Sequence, residues 1–238
     1  MHDRKVIGIL ATPAINDNGY TVTAIIDAYR KAIVSHGCIP LLITPLKDID
    51  YLDLKDEEIP ELTIMEKNMY LKLLNMCDGL IIPGGGRIYN YIYYVIEEAL
   101  KKDMPILGTC MGMQALAIID NNYTKCISKN ETGINHCMRN TKYVHKITIE
   151  KNTKLYDIIG KKEVEVNSCH NYHIDKVNNF IISSYSEDGI IESIELPNKK
   201  FVVGVQRHPE KMYDYDLDQD KLIMAFVEAC YSKEYISL

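Results

Sequence analysis

The stretch Met104-Pro105-Ile106-Leu107-Gly108-Thr109-Cys110-Met111-Gly112-Met113-Gln114 constrains what this chain can fold into more than any other. The apolar pair Ile106-Leu107 reads as the end of a buried strand, and Met113-Gln114-Ala115-Leu116-Ala117-Ile118 has a helical pattern. Between them Cys110 has a glycine two residues away on either side, the layout of a nucleophile elbow. Such a turn is tight. Side chains at 108 and 112 would collide with each other or with the neighbouring strand. The elbow also sets the thiol at a helix N-terminus, where aligned peptide dipoles favour thiolate over thiol. The alternative is a buried structural cysteine, the ordinary fate of a free thiol.

A strand–turn–helix unit of this kind belongs in an α/β sheet, and the first half of the chain supplies one. Val6–Leu10, Ile39–Ile43 and Asp78–Pro83 read as strands. A polar loop, Thr12–Tyr20, is expected where α/β folds place ligands, then a helix over Thr21–His36 capped by Gly37. Residues 45–62 read as an acidic surface connection. Helices follow at Ile64–Leu74 and Tyr89–Lys102. Alternation of strand and helix implies parallel strands with right-handed crossovers. After Asp120 comes a polar, irregular stretch over 121–142. Closely spaced strand-like runs follow: Val144–Ile149, Val164–Asn167, Phe180–Tyr185, Ile190–Leu196 and Phe201–Gln206. A short helix around Leu155–Ile159 separates two of them, and a helix over Asp218–Tyr231 closes the chain. The expected architecture is an α/β three-layer sandwich, residues 1–238 as one domain. Its central sheet is mostly parallel, with additional antiparallel strands in the C-terminal half.

The net charge of −6 and the lack of a Lys/Arg-rich patch argue against a nucleic-acid partner. No apolar run approaches the roughly 18 residues a bilayer requires, and the start has no signal-peptide shape. The seven cysteines are odd in number and form no C-x-x-C pair, so neither a disulfide framework nor a zinc site is expected. His136, Cys137 and His145 fit no standard ligand spacing. The expected home is a reducing cytoplasm, with no metal, no cofactor and no membrane partner.

A nucleophile needs a base. Among the seven histidines, His208 has the right neighbours, in Gly204-Val205-Gln206-Arg207-His208-Pro209-Glu210 just past an apolar strand. Glu210 can curl back to one imidazole nitrogen and leave the other to face Cys110. Read alone, His-Pro-Glu is equally an exposed turn. Acyl transfer also needs an oxyanion hole. The Met111 amide faces the turn, and Gly84-Gly85-Gly86 follows the neighbouring strand. Neither a P-loop nor a dinucleotide fingerprint accompanies those glycines. Cys169, beside His170, is expected to point into the core, because alternate strand residues face opposite sides.

With these residues together, the chain resembles the class I glutamine amidotransferase-like proteins. It is most similar to their γ-glutamyl hydrolase branch, the peptidase C26 group. The likeness spans roughly residues 5–230. Its motifs are Thr12-Pro13, Gly37-Cys38-Ile39-Pro40, Ile82–Gly86, Pro105–Gln114, Val166–His170, Glu187–Glu192 and Gly204–Glu210. The resemblance implies a flavodoxin-like fold. It also implies Cys110 as nucleophile, His208 as base and Glu210 as its orienter. Gly84, Gly85 and Met111 would form the oxyanion hole, and Gln114, Asn167, Ser168 and His170 the substrate pocket. Several positions depart from the family pattern. Met111 replaces an arginine, Arg87 an acidic residue and Arg207 a tryptophan. The His-His-Gln run is His170-Asn171-Tyr172, the acidic insert after Gly86 is missing, and Ile119–Asn122 stands where a Gly-Gly is usual.

The implied activity is hydrolysis of a small γ-glutamyl compound through a γ-glutamyl thioester. A glutaminase subunit serving a separate synthetase and a non-catalytic binding protein are the alternatives. A homodimer also stays open.

Overall fold

Short apolar runs become the strands of one large sheet, beside a separate two-stranded hairpin, in this computed structural model, which describes residues 4–124, 126–131 and 133–231. In chain order they begin with β1 (Val6–Leu10), the hairpin of β2 (Thr12–Ile15) and β3 (Thr21–Ala24), α1 (Asp27–Ser35) and β4 (Ile39–Ile43). Next come α2 (Ile64–Leu74), β5 (Gly79–Ile82), α3 (Asn90–Lys101), β6 (Ile106–Thr109) and α4 (Met111–Asp120). The second half has β7 (Ile127–Lys129), β8 (His145–Ile149), α5 (Lys154–Ile159), β9 (Glu163–Val166) and β10 (Tyr172–Ile174). It ends with β11 (Ile181–Ser186), β12 (Ile191–Glu195), β13 (Val202–Val205) and α6 (Leu217–Tyr231).

β4, β1, β5, β6 and β13 lie side by side and parallel. Beyond β13 the sheet continues antiparallel through β12, β11, β8 and β9, and β10 links β12 to β7. This is the expected α/β sandwich with antiparallel strands in its C-terminal half. Alternation along the strands divides the core. Leu80, Ile82 and Ile106 face a cluster with Tyr70 of α2, Ile92 and Ile96 of α3 and Leu116 of α4. Ile7, Ile81, Leu107 and Val203 face another with Tyr29 and Ile33 of α1 and Leu222 and Phe226 of α6. No helix among the described residues is long and apolar enough to cross a membrane.

Three local expectations differ. The loop expected over Thr12–Tyr20 is a hairpin. Its turn is held by the Asn16 side-chain oxygen, which accepts from the N–H groups of Asn18 and Tyr20, each at 3.0 Å. Thr21–Ala24 is the second strand of that hairpin rather than the start of a helix, because Thr21-Val22-Thr23 is a β-branched run that fits a pleated surface. The irregular stretch after Asp120 contains β7, which pairs with the equally short β10; at three residues each, neither carries a readable period.

The elbow is as tight as its glycines imply. Cys110 has φ +50° and ψ −108°, a conformation costing a non-glycine residue about 1–3 kcal/mol. A Cβ on Gly108 would lie 2.9 Å from the backbone of Gly112, and one on Gly112 would lie 2.0 Å from the Ile82 carbonyl oxygen of β5. Both collisions foreseen from the sequence are therefore real, one within the turn and one with the adjacent strand. Gly112→Ala is expected to lower unfolding free energy by about 3 kcal/mol or more, the upper end of overpacking costs. Gly86→Ala, where a Cβ meets nothing within 4 Å, should stay within about 0.5 kcal/mol of wild type. Urea denaturation of the two variants checks this.

Candidate active site

β13 lies parallel to β6 with Val205 opposite Thr109, so the chain leaving β13 passes over the elbow. Cys110 N–H donates to the Val205 carbonyl at 2.8 Å. Beyond β13, the backbone of His208 is clamped by Asn167. His208 N–H donates to Asn167 Oδ1 at 2.8 Å, and Asn167 Nδ2 donates to the His208 carbonyl at 2.9 Å. Pro209 opens a 3-10 turn, Pro209–Lys211, which brings Glu210 back beneath the imidazole. His208 Nδ1 donates to Glu210 Oε1 at 2.7 Å. The Cys110 sulfur lies close enough to the ring to act on its charge. Gly84 closes over both: a Cβ there would sit 2.6 Å from His208 Cε1 and 3.3 Å from Cys110 Cβ.

The electrostatics follow from this packing. Burial pulls the His208 imidazole down, but the Glu210 carboxylate and the Cys110 sulfur outweigh it and raise its pKa to about 10. Glu210 is buried against Tyr29, Ile33, Ile81, Leu107 and Ile223, so little solvent screens its hold on His208.

Of the three backbone donors expected around the elbow, one is engaged elsewhere. Gly84 N–H donates to Tyr29 Oη at 2.8 Å, and Tyr29 Oη lies 2.5 Å from Thr109 Oγ1. Burial raises the Tyr29 phenol well above its ordinary value, so it stays protonated. The Gly84 N–H is therefore committed to Tyr29 in this structure. The N–H groups of Gly85 and Met111 have no hydrogen-bond partner among the described residues. The Met111 thioether packs against Gly85, with Sδ 3.0 Å from where a Cβ would stand.

A cavity of about 610 Å³ opens above Cys110 and His208, a size suited to a small molecule. Asn167 and Ser168 line it as expected, but their polar groups are engaged, with His208 and, for Ser168 Oγ, with the His136 carbonyl at 2.9 Å. Gln114 and His170 do not line it. Gln114 Nε2 donates to the Tyr172 carbonyl at 3.0 Å, and His170 turns into the interior toward Glu192. Cys169 does the reverse of what was expected and faces the cavity. β9 ends at Val166, so strand alternation no longer governs residue 169; it makes only an isolated bridge with Cys137.

Sequence reasoning missed Arg139, Lys142, Lys211 and Tyr215, which also line the cavity. Among the described residues no acidic side chain lines the cavity, and Arg139 has no hydrogen-bond or ion-pair partner. Two altered positions lie away from it. Arg87 fastens the glycine loop to the acidic connection through Asp56 at 2.6 Å and the Leu54 carbonyl at 2.7 Å. Arg207 is fully buried, donating to Gln219 at 2.8 Å and Ser193 at 3.0 Å. A metal could be held by one cluster among the described residues, His136, His145, His170 and Glu192, next to the cavity wall.

A family model for peptidase C26 matches residues 89–210. The chain is 30% identical to a glutamine amidotransferase-like protein of Rickettsia prowazekii, over 96% of this chain and 99% of that protein. It is also 30% identical to a CTP synthase of Sulfolobus acidocaldarius over 79% of this chain, but spans only 40% of that enzyme. Among solved structures, the glutaminase domain of a Trypanosoma brucei CTPS with bound acivicin shares the fold. Its TM-score is 0.64 at 18% identity, covering 98% of this chain and 96% of that one.

His208 titration is measurable directly. Its folded pKa stands above the ordinary 6.5, so its contribution to stability is complete below about pH 6.5 and is lost as pH rises through about 10. NMR of labelled histidine should show an imidazolium persisting well above neutrality in wild type and titrating at lower pH in Glu210→Gln. A neutral His208 ring at pH 7 in wild type would contradict the pairing.

Proposed function

Because the chain belongs to the peptidase C26 family of class I glutamine amidotransferase-like proteins, a family of hydrolase-type enzymes, we propose that it cleaves the γ-glutamyl amide bond of a small γ-glutamyl compound. The observation that carries this reading is the buried Cys110–His208–Glu210 arrangement beneath a cation-lined cavity. Cys110 thiolate attacks the γ-carbonyl carbon, and the oxyanion is accepted by the N–H groups of Gly85 and Met111. His208, held as imidazolium by Glu210, gives its proton to the departing amine. The C–N bond breaks and leaves a γ-glutamyl thioester. Water then attacks the thioester carbonyl, His208 takes its proton, and glutamate leaves as Cys110 is regenerated. Arg139, with Lys142 and Lys211 beside it, supplies the positive charge that a glutamyl α-carboxylate requires.

A second reading keeps this chemistry and takes glutamine as substrate, with ammonia passed to a separate synthetase chain. The likeness to CTP synthase and to a CTPS glutaminase domain favours it. Turnover of glutamine that rises sharply when a co-purifying synthetase is added would select this reading over a free-standing hydrolase.

Glutamate release from a panel of γ-glutamyl amides, glutamine included, tests the proposal. Cys110→Ala should lose about 10³-fold or more in kcat. Wild-type rates no higher than those of Cys110→Ala, together with no labelling of Cys110 by diazo-oxo-norleucine in folded protein, would leave a binding role in its place. Arg139→Ala should lose about 10- to 100-fold in kcat/KM, chiefly through KM, as expected for one charged hydrogen bond. An unchanged KM would remove Arg139 from the carboxylate site.

A further inference from the structure

The antiparallel half of the sheet brings four ligand-type side chains to one buried point. His136 comes from the segment before β8, His145 from β8, His170 from the segment after β9 and Glu192 from β12. All four are buried, and their ligand atoms lie within 4.8 Å of one another. Glu192 Oε1 is 3.6 Å from His136 Nδ1, 3.6 Å from His145 Nε2 and 3.5 Å from His170 Nε2. Those separations are too long for hydrogen bonds. They are close to the edge of a zinc-centred tetrahedron, about 3.4 Å for bonds of about 2.1 Å. We propose that His136, His145, His170 and Glu192 bind one divalent transition-metal ion of the zinc class, as a structural site behind the wall of the active-site cavity.

The outer nitrogens decide what the inner ones can be. His145 Nδ1 lies 3.1 Å from the Lys146 carbonyl oxygen and His170 Nδ1 lies 3.0 Å from that of Tyr172. His136 Nε2 lies 3.0 Å from Asp188 Oδ2, which Ser186 holds in turn. Carbonyls and carboxylates only accept, so the outer nitrogens of His136 and His145 carry a proton; His170 Nδ1 has the Asn130 Nδ2 donor at 3.2 Å as well, and the shorter contact to the Tyr172 carbonyl places the proton there. In that arrangement the inner nitrogens are the ones left to face Glu192 and a metal. His145 Nε2, His170 Nε2 and both Glu192 oxygens have no hydrogen-bond partner among the described residues. The nearby donors are spent: Ser168 Oγ on the His136 carbonyl at 2.9 Å, and Asn130 Nδ2 on the His170 carbonyl at 3.0 Å.

Acceptors thus converge on acceptors in a buried place, which costs free energy unless a cation joins them. The buried Arg207 guanidinium lies near enough for its charge to act on Glu192, but its Nε and Nη1 donate to Gln219 and Ser193, and no hydrogen bond joins it to the carboxylate or to the rings. Protonating the rings instead would bury several cations beside one carboxylate without forming hydrogen bonds. Imidazoles whose far nitrogen is bonded to a carbonyl or carboxylate are the usual setting of metal ligands. Four protein ligands leave no open position, which is the mark of a structural site. A separate cleft of about 290 Å³, lined by Asn130, His136 and His170 among others, is a route for the ion. Once bound, the metal would reinforce the pairing between the segment carrying Arg139 and the one carrying Asn167, which lie side by side in the cavity wall.

The whole chain, stripped with a chelator and titrated with Zn²⁺ and Co²⁺, tests this. One equivalent should bind, and the Co²⁺ form should show the strong visible bands of tetrahedral cobalt without a thiolate charge-transfer band. Glu192→Gln and His145→Gln should each weaken binding about 100-fold or more, beyond the loss seen when only an outer partner is removed. Cys137→Ser/Cys169→Ser should bind as wild type. Failure of stripped wild type to take up either ion would overturn the proposal. So would sulfur ligation in the Co²⁺ spectrum, or binding that survives Glu192→Gln but disappears with the cysteines. The spectrum needs no variant, so it decides the matter even where a ligand substitution does not fold. None of these readouts depends on turnover, and a hydrolase with no metal or a metalloprotein with no hydrolase activity would be told apart.

Discussion

The contact between Gly112 and the Ile82 carbonyl is the constraint on which the reactive centre rests. An added Cβ would stand 2.0 Å from that oxygen, so α4 can press onto β5 only where residue 112 has no side chain. That closeness leaves a single residue, Cys110, to turn the chain from strand to helix, and it does so with a positive φ. The strain is held from both sides: Cys110 N–H is bonded to Val205, and its carbonyl accepts from Gln114 N–H at 3.2 Å as the first bond of α4. With β6 flanked by β5 and β13, the segments leaving those two strands close over the sulfur, and the Cys169 carbonyl of the segment after β9 reaches it as well, at 3.9 Å. The segment leaving β5 delivers Gly84 and Gly85, the one leaving β13 His208 and Glu210.

How far the sequence discloses this depends on the range of each signal. The elbow is legible because strand, glycines and helix pattern fall within a dozen residues. The His208–Glu210 pair is legible for the same reason, since its hydrogen bond spans two positions. Tyr29 is not. It reads as one more apolar residue on α1, yet its phenol takes the amide of Gly84 across 55 positions and so decides which glycine is left to bind a ligand. Asn167 reads as a pocket residue, and nothing near it in sequence shows that its amide is committed to the backbone of His208, 41 positions away. The second half of the fold is less legible for a related reason. Strands of three residues, β7 and β10, carry no period, and once β9 ends, the alternation used for Cys169 has no meaning.

β13 divides the molecule into halves with different tasks. On its parallel side lie β6 and the nucleophile; on its antiparallel side lies β12, with Gln206 N–H bonded to the Glu192 carbonyl at 2.8 Å. The parallel half supplies a reactive centre that depends on close backbone approach, so it tolerates little change. The antiparallel half supplies the cavity wall, whose polar groups mostly satisfy one another, as Ser168 does with His136 and Asn167 with His208. Arg139 is the exception on that wall, a cation with no hydrogen-bond or ion-pair partner among the described residues. In the proposed reaction a ligand would therefore be selected by charge on one side and attacked by rigid geometry on the other. The register between them is set by Asn167, which stands in the wall and holds the imidazole. Any displacement of the 167–170 segment moves His208 relative to Cys110 as well as reshaping the cavity, so under the proposed mechanism the choice of substrate and the alignment of the base are mechanically one variable.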